Sequence, residues 1–76
     1  MMVYAVSDMA ARKTYMVATD DIRPWLHEWA GQATDKFYSY IDFVADFYTG
    51  KHNYREQTID AEEYLGICII CTGRNC

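Results

Sequence analysis

The sequence predicts an α+β fold: a small single domain over residues 1–76, with an N-terminal β-hairpin, two amphipathic helices packed together and a C-terminal helix-strand element. Two short β-rich segments that resemble each other indicate the hairpin, and two stretches with apolar residues at helical spacing indicate the helices. A β-branched run near the C-terminus indicates one more strand. Apolar residues make up 51% of the chain and aromatic residues 16%, which excludes a disordered composition.

The hairpin is predicted from residues 2–7 and 14–19, which both contain a Tyr-x-Val sequence and are rich in β-forming residues. A polar link over residues 8–13 separates them, so we expect an antiparallel pair joined by a longer loop. A helix over residues 7–18 is the competing interpretation, because the Met-Ala-Ala-Arg-Lys sequence within it favours helix.

Two helices are predicted after the hairpin. The first begins at Asp21 as N-cap, has Pro24 in its first turn and ends at Gly31. Its apolar stripe at i, i+3, i+4 and i+7 consists of Ile22, Trp25, Leu26 and Trp29. The second lies between Thr34, an N-cap, and Gly50, a left-handed cap. The short link between them predicts antiparallel neighbours.

The second predicted helix separates its charges from its rings. Its polar stripe, with steps of four, three and four residues, consists of Asp35, Ser39, Asp42 and Asp46. The remaining arc consists of Phe37, Tyr40, Ile41, Val44, Phe47 and Tyr48. A strand would instead place Asp42 and Asp46 on one face with tyrosines and Val44, so the pattern favours a helix.

The C-terminal part allows two interpretations. Residues 51–57 are mostly polar and predict a surface loop, and Asp60 followed by a glutamate three residues later is a helix-start pattern. The β-branched residues between Gly66 and Gly73 favour a buried strand that joins the hairpin. The alternative is a mostly α fold with a third helix over residues 60–72.

The charge balance excludes some classes of function. Eleven acids against seven bases give a net charge of −4, which argues against direct binding of nucleic acid but permits a basic partner, including a protein that itself holds nucleic acid. The N-terminal segment lacks the features of a signal peptide, and the longest apolar run spans only residues 65–71, so we expect no membrane association. Together with an odd cysteine count, this predicts a cytoplasmic location.

Cysteine supplies the most metal-like pattern in the sequence. Cys68-x-x-Cys71, with Cys76 and the upstream His52, fits the residue types of a zinc site. The two isoleucines between the first two cysteines resist the tight turn that zinc requires, and a strand would direct these two thiols to opposite faces. We therefore expect no cofactor and interpret Cys68 and Cys71 as buried apolar residues, with a small metal-binding protein kept as an alternative.

No nucleophile elbow, phosphate loop or metal-spaced histidine pair is present, so the sequence predicts a non-catalytic protein rather than an enzyme. Acidic groups set among tyrosines can occupy lysine and arginine pockets that normally take phosphates. The partner-binding residues predicted on this basis are Asp35, Asp42, Asp46, Tyr38, Tyr40, Tyr48, Glu62 and Glu63.

These features predict a small acidic interaction protein whose partner is a nucleic-acid-handling protein complex. The style is that of phage or mobile-element inhibitors of host defence, such as anti-CRISPR or anti-restriction proteins, although no motif carries that analogy. The alternative is a homo-oligomeric structural or regulatory protein, for example a homodimer that buries residues 67–71 or the tryptophan-bearing helix against its own copy.

Overall fold

The computed structural model describes residues 1–72 as a three-stranded antiparallel sheet packed on one face by three helices. The elements in chain order are β1 (Met2–Asp8), β2 (Lys13–Thr19), α1 (Arg23–Ala30), α2 (Asp35–Tyr48), α3 (Arg55–Leu65) and β3 (Ile67–Cys71). The strand order is β2-β1-β3, so the first strand lies in the centre. The predicted α+β class is confirmed, and the mostly α alternative does not hold because residues 67–71 pair with β1.

The hairpin forms as predicted, with each strand one residue longer. Tyr4 lies opposite Val17, and Asp8 lies opposite Lys13 at the end of the pair, which excludes the alternative helix. Asp8 closes the loop, since its Oδ1 accepts a hydrogen bond from the Ala11 N–H at 3.1 Å and its Oδ2 accepts one from Trp29 Nε1 at 3.1 Å. These hydrogen bonds, the one from Ala11 first, lower the pKa of Asp8 and connect the hairpin to α1.

Both early helices lie where they were predicted, with one change at a cap. Ile22, not Asp21, occupies the N-cap of α1, and the Asp21 carboxylate accepts a hydrogen bond from the Arg23 N–H at 3.0 Å from one position upstream. Thr34 caps α2 as predicted, accepting from the Phe37 N–H at 3.1 Å. Gly50 follows the C-cap with a φ of +83°, the left-handed conformation that favours glycine.

The third helix begins earlier than predicted. It starts at Arg55 instead of Asp60, so residues 55–57 belong to a helix and not to the surface loop. Its buried side is formed by Thr58, Ala61, Glu62 and Leu65. Because two of these four are polar, the stripe does not appear in the sequence as an apolar pattern. Gly66, with a φ of +76°, then ends the helix and turns the chain into β3.

Strand β3 directs alternate side chains to opposite faces. Ile67 and Ile69 are buried under the helices, whereas Cys68 and Ile70 are exposed on the outer face. The interpretation of Cys68 as a buried residue is therefore wrong, because the strand period places it on the uncovered side of the sheet. Cys71 is partly buried. Gly73, which bounds the predicted strand in the sequence, lies outside the described residues.

The core lies between the inner face of the sheet and the helices. Its fully or nearly fully buried apolar residues are Tyr4, Val6, Ile22, Leu26, Ile41, Val44, Ala45, Ala61, Leu65, Ile67 and Ile69. Every strand except β2 and every helix contributes at least one of them, so the elements share one cluster. Among residues 1–72, no helix combines the length and the apolar character needed to cross a bilayer.

The hairpin loop contains a strained residue that offers a test of the fold. Arg12 has a φ of +55°, a conformation that costs a residue with a β-carbon roughly 1–2 kcal/mol. Replacing Arg12 by glycine removes this cost but raises the conformational entropy of the unfolded chain, which lowers stability by about 0.4–1 kcal/mol. We expect Arg12→Gly to raise the free energy of unfolding by about 0.5–1 kcal/mol, measured as a rise in Tm of roughly 2–8 °C.

The matched control is Arg12→Ala, which removes the same charge and keeps the β-carbon. This variant should show no gain in Tm. An equal rise in both variants would mean that loss of the arginine charge, and not relief of the backbone, stabilises the loop.

Candidate functional site

The acidic stripe of α2 faces α1, where cations meet it. Arg23 donates from Nη1 to Asp42 Oδ1 at 3.3 Å and from Nη2 to Asp46 Oδ1 at 2.6 Å. His27 Nε2 lies 3.0 Å from the same Asp42 oxygen, and Lys51 Nζ lies 3.9 Å from Asp46. The hydrogen bond from Arg23 lowers the pKa of Asp46. Much of the charge of this stripe is therefore balanced inside the fold.

The predicted tyrosines do not gather around these carboxylates. Tyr38 stacks on His27 with ring centroids 5.1 Å apart and donates its hydroxyl hydrogen to the Gly31 carbonyl. Tyr40 lies on another side of α2, 4.4 Å from the ring of Tyr64 on α3. Tyr48 points into the interior and meets Tyr4 edge-on at 5.6 Å. The structure therefore divides the predicted site among three separate environments.

Glu62 is the most unusual acidic residue in the described part of the chain. Its side chain projects from the buried side of α3, and the residue is only 6% exposed. Its Oε1 accepts a hydrogen bond from the Ile69 N–H at 3.1 Å, and its Oε2 accepts one from the Tyr48 hydroxyl at 3.0 Å. The Tyr48 oxygen also lies 3.4 Å from the Ile69 carbonyl oxygen and accepts from Arg55 Nη1 at 3.2 Å. We call these four residues the Glu62 network.

The Glu62 network covers the outer edge of β3 at its middle residue, Ile69. The Gly66 carbonyl accepts from the Met9 N–H, just after β1, and the Thr72 N–H donates to the Val3 carbonyl in β1, so in an antiparallel ladder the N–H and C=O of Ile69 point away from β1. Glu62 satisfies the N–H as a neighbouring strand would do, and the Tyr48 hydroxyl, whose hydrogen goes to Glu62, covers the C=O at 3.4 Å. An unpaired edge of this kind is otherwise a template for aggregation.

Burial sets the protonation behaviour of this network. Desolvation raises the pKa of Glu62, and the hydrogen bonds from Ile69 and Tyr48 oppose that rise. Burial likewise raises the pKa of Tyr48 to about 12, so its hydroxyl stays protonated and able to donate at neutral pH. Desolvation therefore disfavours the Glu62 carboxylate, and the two hydrogen bonds that its oxygens accept partly offset this cost.

An open cavity of about 540 Å³ adjoins the network, lined by Met2, Phe47, Tyr48, Arg55, Ile69, Ile70 and Cys71. Its polar side chains are Tyr48 and Arg55, which bind each other, and the Arg55 guanidinium also lies 5.3 Å from the centre of the Phe47 ring. These groups join α2, α3 and β3, and no nucleophile next to a base stands among these lining residues.

The outward face of α3 differs from that of α2. Glu56, Asp60 and Glu63 recur at i, i+4 and i+7, so they share one side of the helix, and all three are exposed. Within residues 1–72 none of them forms an ion pair. Ile59, which is 40% exposed, and Tyr64, which is 46% exposed, flank them. This set is called the α3 acidic face.

Only part of the predicted site coincides with this face. Glu63 belongs to it, whereas Asp35 lies exposed in the first turn of α2 and Glu62 lies inside. Glu56 and Asp60 were not among the predicted binding residues. Their one-turn spacing with Glu63 would have indicated them if the start of α3 had been placed at Arg55.

The zinc-like pattern does not assemble within the described residues. In residues 1–72 no three His, Cys, Asp or Glu side chains come together in a group that could hold a metal ion. His52 packs on Phe43 with ring centroids 4.2 Å apart, and its Nε2 lies 2.8 Å from the Phe43 carbonyl oxygen. The third cysteine of the pattern, Cys76, lies outside the described residues.

Comparison with known proteins found no matching family model, and neither a curated protein nor a solved structure matches significantly.

The raised pKa of Glu62 predicts how stability depends on pH. Because the folded state holds this proton more tightly than the unfolded state, with its pKa of 4.5, the unfolding free energy falls as pH rises from 4.5 through the folded-state pKa. Glu62→Gln removes this titration while keeping an acceptor for the Ile69 N–H. We expect the wild-type protein to lose stability relative to Glu62→Gln across that window, measured by urea unfolding with tryptophan fluorescence.

The comparison between the two proteins cancels the titrations that they share. Asp8 and Asp46 have lowered pKa values, so in both proteins their contribution to the free energy of unfolding is lost as pH falls through and below 3.8. A constant difference in unfolding free energy between wild type and Glu62→Gln from pH 4 to 7 would contradict a raised pKa at Glu62.

Proposed function

We propose that this chain is a small non-catalytic inhibitor that binds a basic, nucleic-acid-binding surface of a partner protein through the α3 acidic face. The observation that carries the proposal is that Glu56, Asp60 and Glu63 stand exposed, one helical turn apart, without a cationic partner among residues 1–72. Unpaired surface charge of one sign attracts a surface of the opposite sign and speeds association with it.

The proposal places the binding surface on α3 rather than on α2. Asp42 and Asp46 already engage Arg23, so a basic partner would have to compete with an existing pair. Within residues 1–72 the acids of the α3 acidic face have no ion pair with which a partner would have to compete. Their positions are separated by about 6 and 4.5 Å along the helix axis, given a rise of 1.5 Å per residue. Lysine and arginine groups that normally contact successive phosphates can meet carboxylates at such intervals.

Apolar side chains beside the acids support a protein partner. Ile59 and Tyr64 expose about two fifths or more of their surface next to the charged row, and Lys36 Nζ lies 5.3 Å from the centre of the Tyr64 ring. Protein interfaces combine a central apolar or aromatic contact with a polar rim, and tyrosine is enriched in them. In this proposal the acids attract the basic surface, and Ile59 and Tyr64 supply the apolar contact from which water is excluded.

The biological setting belongs to the same proposal. A compact acidic chain that covers a nucleic-acid groove would act in the style of phage or mobile-element proteins that block host defence enzymes in the cytoplasm, such as anti-CRISPR or anti-restriction inhibitors. The mechanism is occlusion: the partner's groove cannot hold the α3 acidic face and nucleic acid at the same time.

The test uses two triple variants with the same net charge. Glu56→Gln, Asp60→Asn and Glu63→Gln neutralise the α3 acidic face, whereas the matched control neutralises three exposed acids elsewhere, with Asp20→Asn, Glu28→Gln and Asp35→Asn. Each immobilised protein is incubated with nuclease-treated bacterial lysate, and the retained proteins are quantified by mass spectrometry with and without added DNA or RNA.

We expect the wild-type protein to retain a nucleic-acid-binding protein that added DNA or RNA displaces. At about 0.5–1 kcal/mol for each exposed charge, neutralising the α3 acidic face should weaken this binding roughly 10- to 100-fold. The control should bind as the wild type does. Equal retention by both triple variants, or a partner that nucleic acid does not displace, would overturn the proposal.

A further inference from the structure

Within residues 1–72 no element covers the outer face of the sheet, and its nine positions, eight in the strands and Thr72 beside them, carry no charged residue. The helices pack on the inner face, so the outer face consists of Val3, Ala5, Ser7, Thr14, Met16, Ala18, Cys68, Ile70 and Thr72. Met16 is 65% exposed and Ile70 is 59% exposed. In a chain with a net charge of −4, an exposed face without any charge is the unusual feature.

The register arranges this face as three rows across the strands. Ala5 lies opposite Met16 on one side and Ile70 on the other, so in the central row a small side chain lies between two large ones. The row on one side is Ala18, Val3 and Thr72, and the row on the other side is Thr14, Ser7 and Cys68. Two large side chains on either side of Ala5 leave a shallow groove along the central strand, which a protruding Met16 or Ile70 of an identical face can fill.

We propose that a second copy of this chain covers the outer face, giving a back-to-back dimer of sheets. The distribution of charge favours a second copy as the partner on this face. Two copies that met through their helical sides would bring the α3 acidic faces together, whereas two that meet through the uncharged sheets keep these acids far apart. The same absence of charge gives a strongly basic or acidic partner nothing to recognise on this face.

A continuous sheet across two copies, paired through β3, would have to displace side chains from its edge. Glu62 accepts from the Ile69 N–H there, and the Tyr48 hydroxyl lies 3.4 Å from the Ile69 carbonyl oxygen. This cost favours the face of the sheet over the β3 edge as the contact surface.

The size of the face sets the expected strength. Three strands about 4.8 Å apart and five residues long, at about 3.4 Å each, cover an area on the order of 200 Å², which protruding side chains enlarge. Met1 and Met9, 84% and 60% exposed at the two ends of β1, extend the apolar area. Stable dimers bury about 800 Å² per partner, several times this flat area, so the protruding side chains must supply most of the contact, and we expect a weak, reversible dimer with a Kd of roughly 1–100 µM.

The experiment compares one isoleucine on each side of the molecule. Ile70→Lys puts a charge into the proposed interface, twice in a symmetric dimer, and Ile59→Lys adds the same charge to the exposed side of α3. Both side chains are exposed in the single chain, so neither change should disturb its fold, which far-UV circular dichroism and Tm would confirm. Sedimentation equilibrium over a concentration series then gives the dimer Kd of each protein.

We expect the wild type and Ile59→Lys to dimerise with similar Kd values, and Ile70→Lys to dimerise at least about tenfold more weakly. Alkylation of Cys68, which is exposed on the same face, should slow as the wild type dimerises. A wild-type protein that remains monomeric well above the expected Kd range would overturn the proposal. So would a dimer that Ile70→Lys leaves intact, because its interface would lie elsewhere. Neither outcome depends on the function proposed for α3.

Discussion

The buried carboxylate of Glu62 is the interaction on which the arrangement of helices and sheet depends. One side chain on α3 contacts α2 through the Tyr48 hydroxyl and contacts β3 through the Ile69 N–H. A buried acid is costly unless its oxygens are hydrogen-bonded, and here each oxygen accepts one bond. The result is a fixed position for α3 against the sheet edge, which also determines the direction in which its outward face points.

Six of the eleven acids of the chain fall into three distinct environments, which decide how their charge is used. Glu62 lies inside and satisfies backbone groups, Asp42 and Asp46 balance Arg23 between two helices, and the α3 acidic face remains unpaired within residues 1–72. Of these three sets, only the last has charge that no cation within residues 1–72 balances. The uncharged outer face of the sheet is a second and separate surface, so the molecule has one side suited to a basic partner and one suited to its own copy.

Much of the fold could be predicted from the sequence because the relevant signals are local. The repeated Tyr-x-Val pattern predicts the hairpin, the Thr34 and Gly50 caps bound α2, and Gly66 separates α3 from β3. The start of α3 could not be predicted, because its core side includes Thr58 and Glu62, and polar residues on a buried side hide the helical period. The pairing of Asp42 with Arg23 was equally hidden, since it joins residues on two helices whose rotation the sequence does not determine.

The edge-closing role of Glu62 is tested most directly by amide hydrogen exchange at Ile69, followed by NMR. Its N–H points away from β1, so without the carboxylate it would be an unpaired edge amide. If Glu62 closes the edge, this amide should exchange about as slowly as that of Ile70, whose N–H faces the central strand, and much faster in Glu62→Ala. Exchange at Ile69 as fast as at the exposed loop residue Asn53 in the wild-type protein would contradict the account.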